Sequence, residues 1–251
     1  IDNSSNTPEL YRIEMDKYEG YDFTFNDDFT LNGPTNGTTK ALELTSGDLI
    51  LDDASIDITL TSGGADFEIP SEASINAIGA TLRNTGDNTG ISLDGLMVVG
   101  DNSQWLLNGG TDNYIEYSSS GNAEIQVEQG TLRVGSQIRR GTVNEMGVLK
   151  FSQNHSNSTV IVGENDAPTN SRGVFEILNI GSEFNQVADA GIEIVRQQTS
   201  PSLAALYLDP GSSSLGDGSS ITLGNASTPA GQEIGIYSTI SLKNIVVDNT
   251  S

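Results

Sequence analysis

The feature that most constrains this chain is a recurring step: an alternating apolar pair, a glycine, and a second alternating apolar pair. Leu42-Glu43-Leu44 is followed by Gly47 and then by Leu49 and Leu51. Ile91-Ser92-Leu93 is followed by Gly95, Met97 and Val99, and Ile125-Gln126-Val127 by Gly130, Leu132 and Val134. Gly147 with Leu149 and Phe151, and Gly173 with Phe175 and Ile177, repeat the second half. Successive side chains of a strand point to opposite faces, so each arm presents its apolar residues on one side. The glycine allows a bend that a Cβ would obstruct. Repeated along a chain, such corners wrap short strands into coils around a dry aliphatic stack.

Further short alternating runs fill the chain from residue 41 onward. They include Ile56-Asp57-Ile58-Thr59-Leu60, Phe67-Glu68-Ile69, Ile115-Glu116-Tyr117, Val160-Ile161-Val162, Ile192-Glu193-Ile194, Ile221-Thr222-Leu223 and Ile245-Val246-Val247. Clusters of Gly, Asn, Ser and Asp separate them. Many short strands at nearly even spacing suit a sandwich, a barrel or a β-solenoid. Two-residue Asn-Gly and Asp-Gly hairpin signals are few. The expected fold is therefore all-β, a β-solenoid of the parallel β-helix kind, with a β-sandwich of ordinary hairpins as the alternative. At ~20–30 residues per coil, residues 41–251 make roughly eight coils stacked ~4.8 Å apart. Residues 1–40 read differently. Tyr11, Tyr18, Tyr21, Phe23, Phe25 and Phe29 concentrate there with Arg12, Lys17 and Lys40. This segment is expected to be either a cap over the open solenoid end or the tail of a preceding domain.

Composition narrows the partners. The 251 residues carry 34 acidic and 11 basic side chains, a formal net charge of −23. Such a surface repels phosphate backbones and anionic headgroups, which excludes nucleic acid as a partner. Cysteine is absent, so neither a disulfide framework nor a thiolate metal site can form. No run of about 20 apolar residues offers a membrane-spanning helix. No signal peptide opens the chain, and it is expected to be a piece of a longer protein.

Three stretches resemble a known group. They are Ala205-Leu206-Tyr207-Leu208-Asp209-Pro210-Gly211-Ser212, the run from Ile221 to Ser227, and Ile240-Ser241-Leu242-Lys243-Asn244-Ile245-Val246-Val247. With the Gly-x-Leu-x-Val step of Gly130–Val134, they look like the very large secreted surface proteins of Bacteroidetes-type bacteria. The resemblance implies a right-handed parallel β-helix. It also implies export by the type IX secretion system and an adhesive or gliding-motility role at the cell surface. The partners would be a surface polysaccharide, an abiotic surface or the secretion and motility machinery. The sorting domain typical of that group is not present in this sequence.

The residues themselves nominate little chemistry, and no catalytic, cofactor or metal residue is assigned. His155, the sole histidine, sits in the polar stretch Gln153–Ser158 and reads as an exposed loop residue rather than a triad or metal member. Polysaccharide lyases and hydrolases on this scaffold need converging carboxylates. Adjacent strand residues diverge, so Asp27-Asp28 and Asp52-Asp53 are expected to decorate turns. Arg139-Arg140 is the only basic dipeptide. It could grip a carboxylate, and is otherwise expected as a solvated loop beside Glu145. Gly63-Gly64-Ala65-Asp66 and Gly109-Gly110-Thr111-Asp112 faintly resemble a calcium-binding β-roll repeat but lack its period. Asp101-Asn102 and Asp217 could supply oxygens to weak calcium sites, and no other cofactor is implied. Thr59 and Thr61 form one Thr-x-Thr step, too little for an ice-binding array. Trp105 reads as core or coil edge rather than a sugar platform. The leading expectation is a non-enzymatic structural or adhesive segment at the bacterial surface. A polysaccharide-degrading enzyme on the same scaffold and a cargo or partner of the secretion machinery are the alternatives.

Overall fold

A computed structural model of the chain describes residues 9–18, 21–25, 27–33, 41–53, 56–61, 67–118, 122–142, 144–166, 168, 170–197 and 204–248. These residues form strands and connecting turns, with no helix among them. The strands stack as a parallel β-solenoid of about eight turns. Every ladder between strands is parallel, which excludes the sandwich of hairpins. The Gly63–Asp66 stretch lies outside the described residues.

Three faces make up the wall. On the first, Phe67, Ile91, Ile115, Ile138, Phe175, Leu206 and Ile236 are register partners in consecutive coils. On the second, the column runs Phe23, Leu49, Ile75, Met97, Ile125, Phe151 and Phe184. On the third it runs Phe29, Ile58, Leu82, Trp105, Leu132, Val160, Ile192, Ile221 and Ile245. The long strands Leu42–Asp52, Phe175–Gln186 and Leu206–Leu215 turn the corner between the first two faces. Nearly all these inward side chains are buried and form one cluster. Alternation of buried and half-buried positions along each strand is the period-2 pattern of the sequence made physical.

The described part of residues 1–40 carries the same ladders toward the amino terminus. Ile13–Asp16 and Asp22–Phe25 pair with Leu42–Asp52, and Phe29–Leu31 pairs with Asp57–Leu60. Trp105 is fully buried on the third face. Thr59 faces outward there, but its column continues with Arg83, Leu106 and Arg133 rather than threonine.

The glycine step proves to serve all three corners. Gly47, Gly95 and Gly147 precede second-face strands, Gly130 a third-face strand and Gly173 a first-face strand. One corner chemistry used in three places explains why the step recurs at irregular spacing. Its physical reason also varies. Gly47 holds a φ of +95°, open to few other residues. At Gly95 the obstacle is the coil below: an added Cβ would lie 2.2 Å from the carbonyl oxygens of both Pro70 and Ala73. Gly95→Ala is thus expected to lower stability by about 1–3 kcal/mol through forced displacement of backbone. Gly191→Ala, where the added carbon meets only the Ser220 hydroxyl at 3.2 Å, is expected to stay within about 0.5 kcal/mol. Urea denaturation of the two variants checks the contrast.

Candidate binding cleft

The coils are not equal in length. First-face register partners are 24, 24 and 23 residues apart from Phe67 to Ile138, then 37, 31 and 30 apart from Ile138 to Ile236. Much of the added length lies between the third and first faces, in residues 163–174, 195–205 and 224–235. Residues 170–173, at the end of the first of these loops, fold back over the outer side of the first face. That is where the structure departs furthest from the sequence expectation.

Arg139 and Arg140 are not in a solvated loop. They belong to the strand Gln137–Arg140, and both side chains are largely buried. Arg139 Nε donates to Glu116 Oε2 at 3.0 Å, and its guanidinium carbon lies 3.7 Å from the centre of the Tyr114 ring. Arg140 Nε donates to Glu176 Oε2 at 3.0 Å. Glu176 is completely buried and also accepts the Gly173 N–H at 2.6 Å. Arg172, from the inserted loop, donates to Glu116 Oε2 at 2.9 Å and to the Arg140 carbonyl at 2.6 Å. Burial and the adjacent Arg139 charge push the Arg172 guanidinium below its ordinary value, which Glu116 partly offsets. Gln137 completes the pin by bonding Asn170 and the Gly173 carbonyl. Glu145 does lie beside the end of this strand, against Gly141, where it accepts the Thr142 N–H.

The same loop is fastened at its start. Glu164 accepts Arg133 Nε at 3.0 Å and Asn108 Nδ2 at 2.7 Å. Burial alone would raise the Glu164 carboxyl, but the hydrogen bonds and charge of Arg133, with Asn108, bring it below its ordinary value. Burial raises the nearby Asp166 carboxyl, helped by the Asp112 charge and opposed by the Asp112 N–H, Ser136 and Arg196.

Beside this network, open to solvent, lies a cleft of about 450 Å³. Arg140, Met146, Ser171, Leu178, Asn179, Ile180, Tyr207 and Asp209 line it. Ile180 is 91% exposed and Met146 67%. The Tyr207 ring meets that of Tyr237, its register partner in the next coil, edge to face at 4.6 Å. Asp209 Oδ1 accepts the Thr239 hydroxyl at 2.7 Å. The strand at this corner bulges between Asn179 and Glu183, and Asn179 Nδ2 anchors the bulge on the Gly147 carbonyl. No protein-family model, curated protein or solved structure matches the chain.

The other residues singled out in the sequence stay apart from the cleft. Asp28 Oδ1 accepts the Asp57 N–H; Asp52 is the last residue of the strand Leu42–Asp52, and Asp53 closes the turn after it through its carbonyl. Asp101 accepts the Gln129 N–H. Asp112 accepts the Ser136 hydroxyl and lies 3.8 Å from Arg139. Asp217 pairs with Lys243 at 3.0 Å. His155 Nδ1 accepts the Asn157 N–H inside a turn. Among the described residues no three His, Asp or Glu side chains are grouped to hold a metal ion.

Two outcomes follow. Glu176→Ala strands Arg140 in a buried site, so it is expected to cost about 3–5 kcal/mol and to expose Arg172 to limited trypsin digestion. A raised carboxyl value means the folded state holds the Asp166 proton more tightly than the unfolded chain does. Its ionisation therefore costs stability at neutral pH, and the cost fades as the pH falls toward 3.8. Asp166→Asn is expected to raise the Tm at pH 7, with the gain shrinking toward pH 4. Glu164, with the opposite sign, loses its contribution as the pH falls below 4.5. Thermal melts from pH 8 down to about pH 3 read both.

Proposed function

We propose that the chain is a structural and adhesive segment of a bacterial cell-surface protein, a solenoid rod that carries a recognition cleft. The observation that carries this reading is the cluster of apolar side chains left open at one corner. Ile180 and Met146 are exposed around the cleft, and Tyr207 and Tyr237 form a ring pair beside it. Solvent-facing apolar groups gathered at a loop-built concavity mark a binding surface more often than a wall element. The continuous ladders support the rod half of the proposal, since each coil braces the next without a cofactor. The resemblance of Gly130–Val134 and of residues 205–247 to type IX-exported surface adhesins points the same way, to the outside of the cell. The acidic surface suits solubility there and disfavours anionic polymers.

The test is binding and turnover of the purified protein on an array of surface polysaccharides, with and without millimolar calcium. Saturable binding without product is the expected result. New reducing ends or unsaturated-uronate absorbance would overturn the non-enzymatic reading. Failure to retain any polysaccharide, together with no adhesion of protein-coated beads to cells or abiotic surfaces, would overturn the adhesive one.

A further inference from the structure

The chemistry of the cleft narrows what it can hold. Its one lining cation, Arg140, is turned onto the buried Glu176 carboxylate. The arginines behind it, Arg139 and Arg172, both donate to Glu116. Glu145 and Asp209 add negative charge in the same region. The three guanidinium groups are thus paired with the carboxylates of Glu116, Glu176 and Asp112, and Asp209 lines the cleft beside them. No net positive field remains to attract a uronate, a sulfate ester or a phosphate, and the whole chain carries −23.

The backbone narrows it further. The strands Phe175–Gln186 and Leu206–Leu215 pair with each other, and Leu206–Leu208 pairs on its far side with Ile236–Ser238. The main chain on both sides of Tyr207 is therefore committed to ladders, and an extended peptide could not join the sheet there. Recognition here rests on side chains. What they offer is a tyrosine ring braced by a second ring, two aliphatic flanks, a carboxylate already bonded to a hydroxyl, and the amide of Asn179. A tyrosine face packs against the C–H face of a pyranose, and a carboxylate accepts strong hydrogen bonds from sugar hydroxyls. A concavity of about 450 Å³ falls in the size range of small-ligand sites.

We infer that this cleft binds a neutral saccharide unit of a polysaccharide, seated on Tyr207 with its hydroxyls on Asp209. The inference rests on the adhesive reading and gives it a site and a ligand class.

The experiment compares retention of the intact chain on neutral polymers (β-glucan, mannan, xylan, galactan) with retention on polygalacturonate, alginate and heparin. It is repeated for Asp209→Asn and Ile180→Ala, both solvent-facing changes, and for Tyr207→Ala with folding checked by circular dichroism. Binding of a neutral polymer is expected, insensitive to 0.5 M salt. Asp209→Asn should weaken it at least about tenfold, the loss of one charge-assisted hydrogen bond. Preference for the anionic polymers would overturn the ligand class. Neutral binding unchanged in all three variants would overturn the site. Selective capture of a lysine-rich peptide at Asp209 would overturn the saccharide assignment in favour of a protein partner. If no polymer binds while protein-coated beads still adhere to surfaces, this inference fails and the adhesive reading stands.

Discussion

The structure depends on one constraint: each coil must lie in parallel register on the coil before it. The backbone groups of a coil are satisfied only by its neighbours, so position along the chain is converted directly into position on a face. Register then stacks like upon like. Phe151 rests between Ile125 and Phe184, and its ring meets those of Phe175 and Phe184 at 5.3 and 5.9 Å, filling the width of the interior at that level. Coil separation leaves no slack at the corners. The same constraint that orders the apolar columns therefore forbids a side chain at Gly95, where two carbonyl oxygens of the preceding coil occupy the space.

Register orders the outside as strictly as the inside. The outward column of the first face runs Glu14, Glu43, Glu68, Ser92, Glu116 and Arg139. Like charges placed directly opposite one another are unfavourable, and the column answers this locally. Arg12 bridges Glu14 and Glu43, Ser92 interrupts the run, and Arg139 closes it on Glu116. Beyond Arg139 the column changes to Glu176, Tyr207 and Tyr237. This is where the long loops begin. Once residues 170–173 cover the wall, its charges are removed from water and need partners with good geometry. Arg140–Glu176 and Arg172–Glu116 are those partners.

This division explains what was legible in the sequence. The solenoid was, because period-2 alternation and the glycine step are local: Leu42–Leu51 shows both within ten residues. The placement of Trp105 and the turn positions of Asp28 and His155 followed from equally short patterns. Arg139-Arg140 was misread because its environment is not local. Glu176 lies 36 residues away and Arg172 reaches Glu116 across 56. The strand Gln137–Arg140 also has a single aliphatic residue, so alternation could not reveal it. Spacing along the chain did carry a signal, since from Phe67 onward the first-face interval exceeds 24 residues only where the long loops are inserted. Reading it required knowing that the step occurs at three different corners.

Insertion at a corner costs the ladder little, because closing a longer loop adds entropy only slowly with length. A substitution on a wall strand is judged by two neighbouring coils at once. Variation in recognition is thus free to accumulate in the segments between faces, while the columns stay fixed. The cleft fits that logic: Met146 and Ser171 come from connecting loops and Asn179 and Ile180 from a bulge, whereas Tyr207 and Asp209 are outward positions of a regular strand. The chemically specific groups stand on the rigid element, and the adaptable apolar flanks stand on the loops. A site built this way can change which sugar face it accepts by altering the loops while keeping the ring and carboxylate in register.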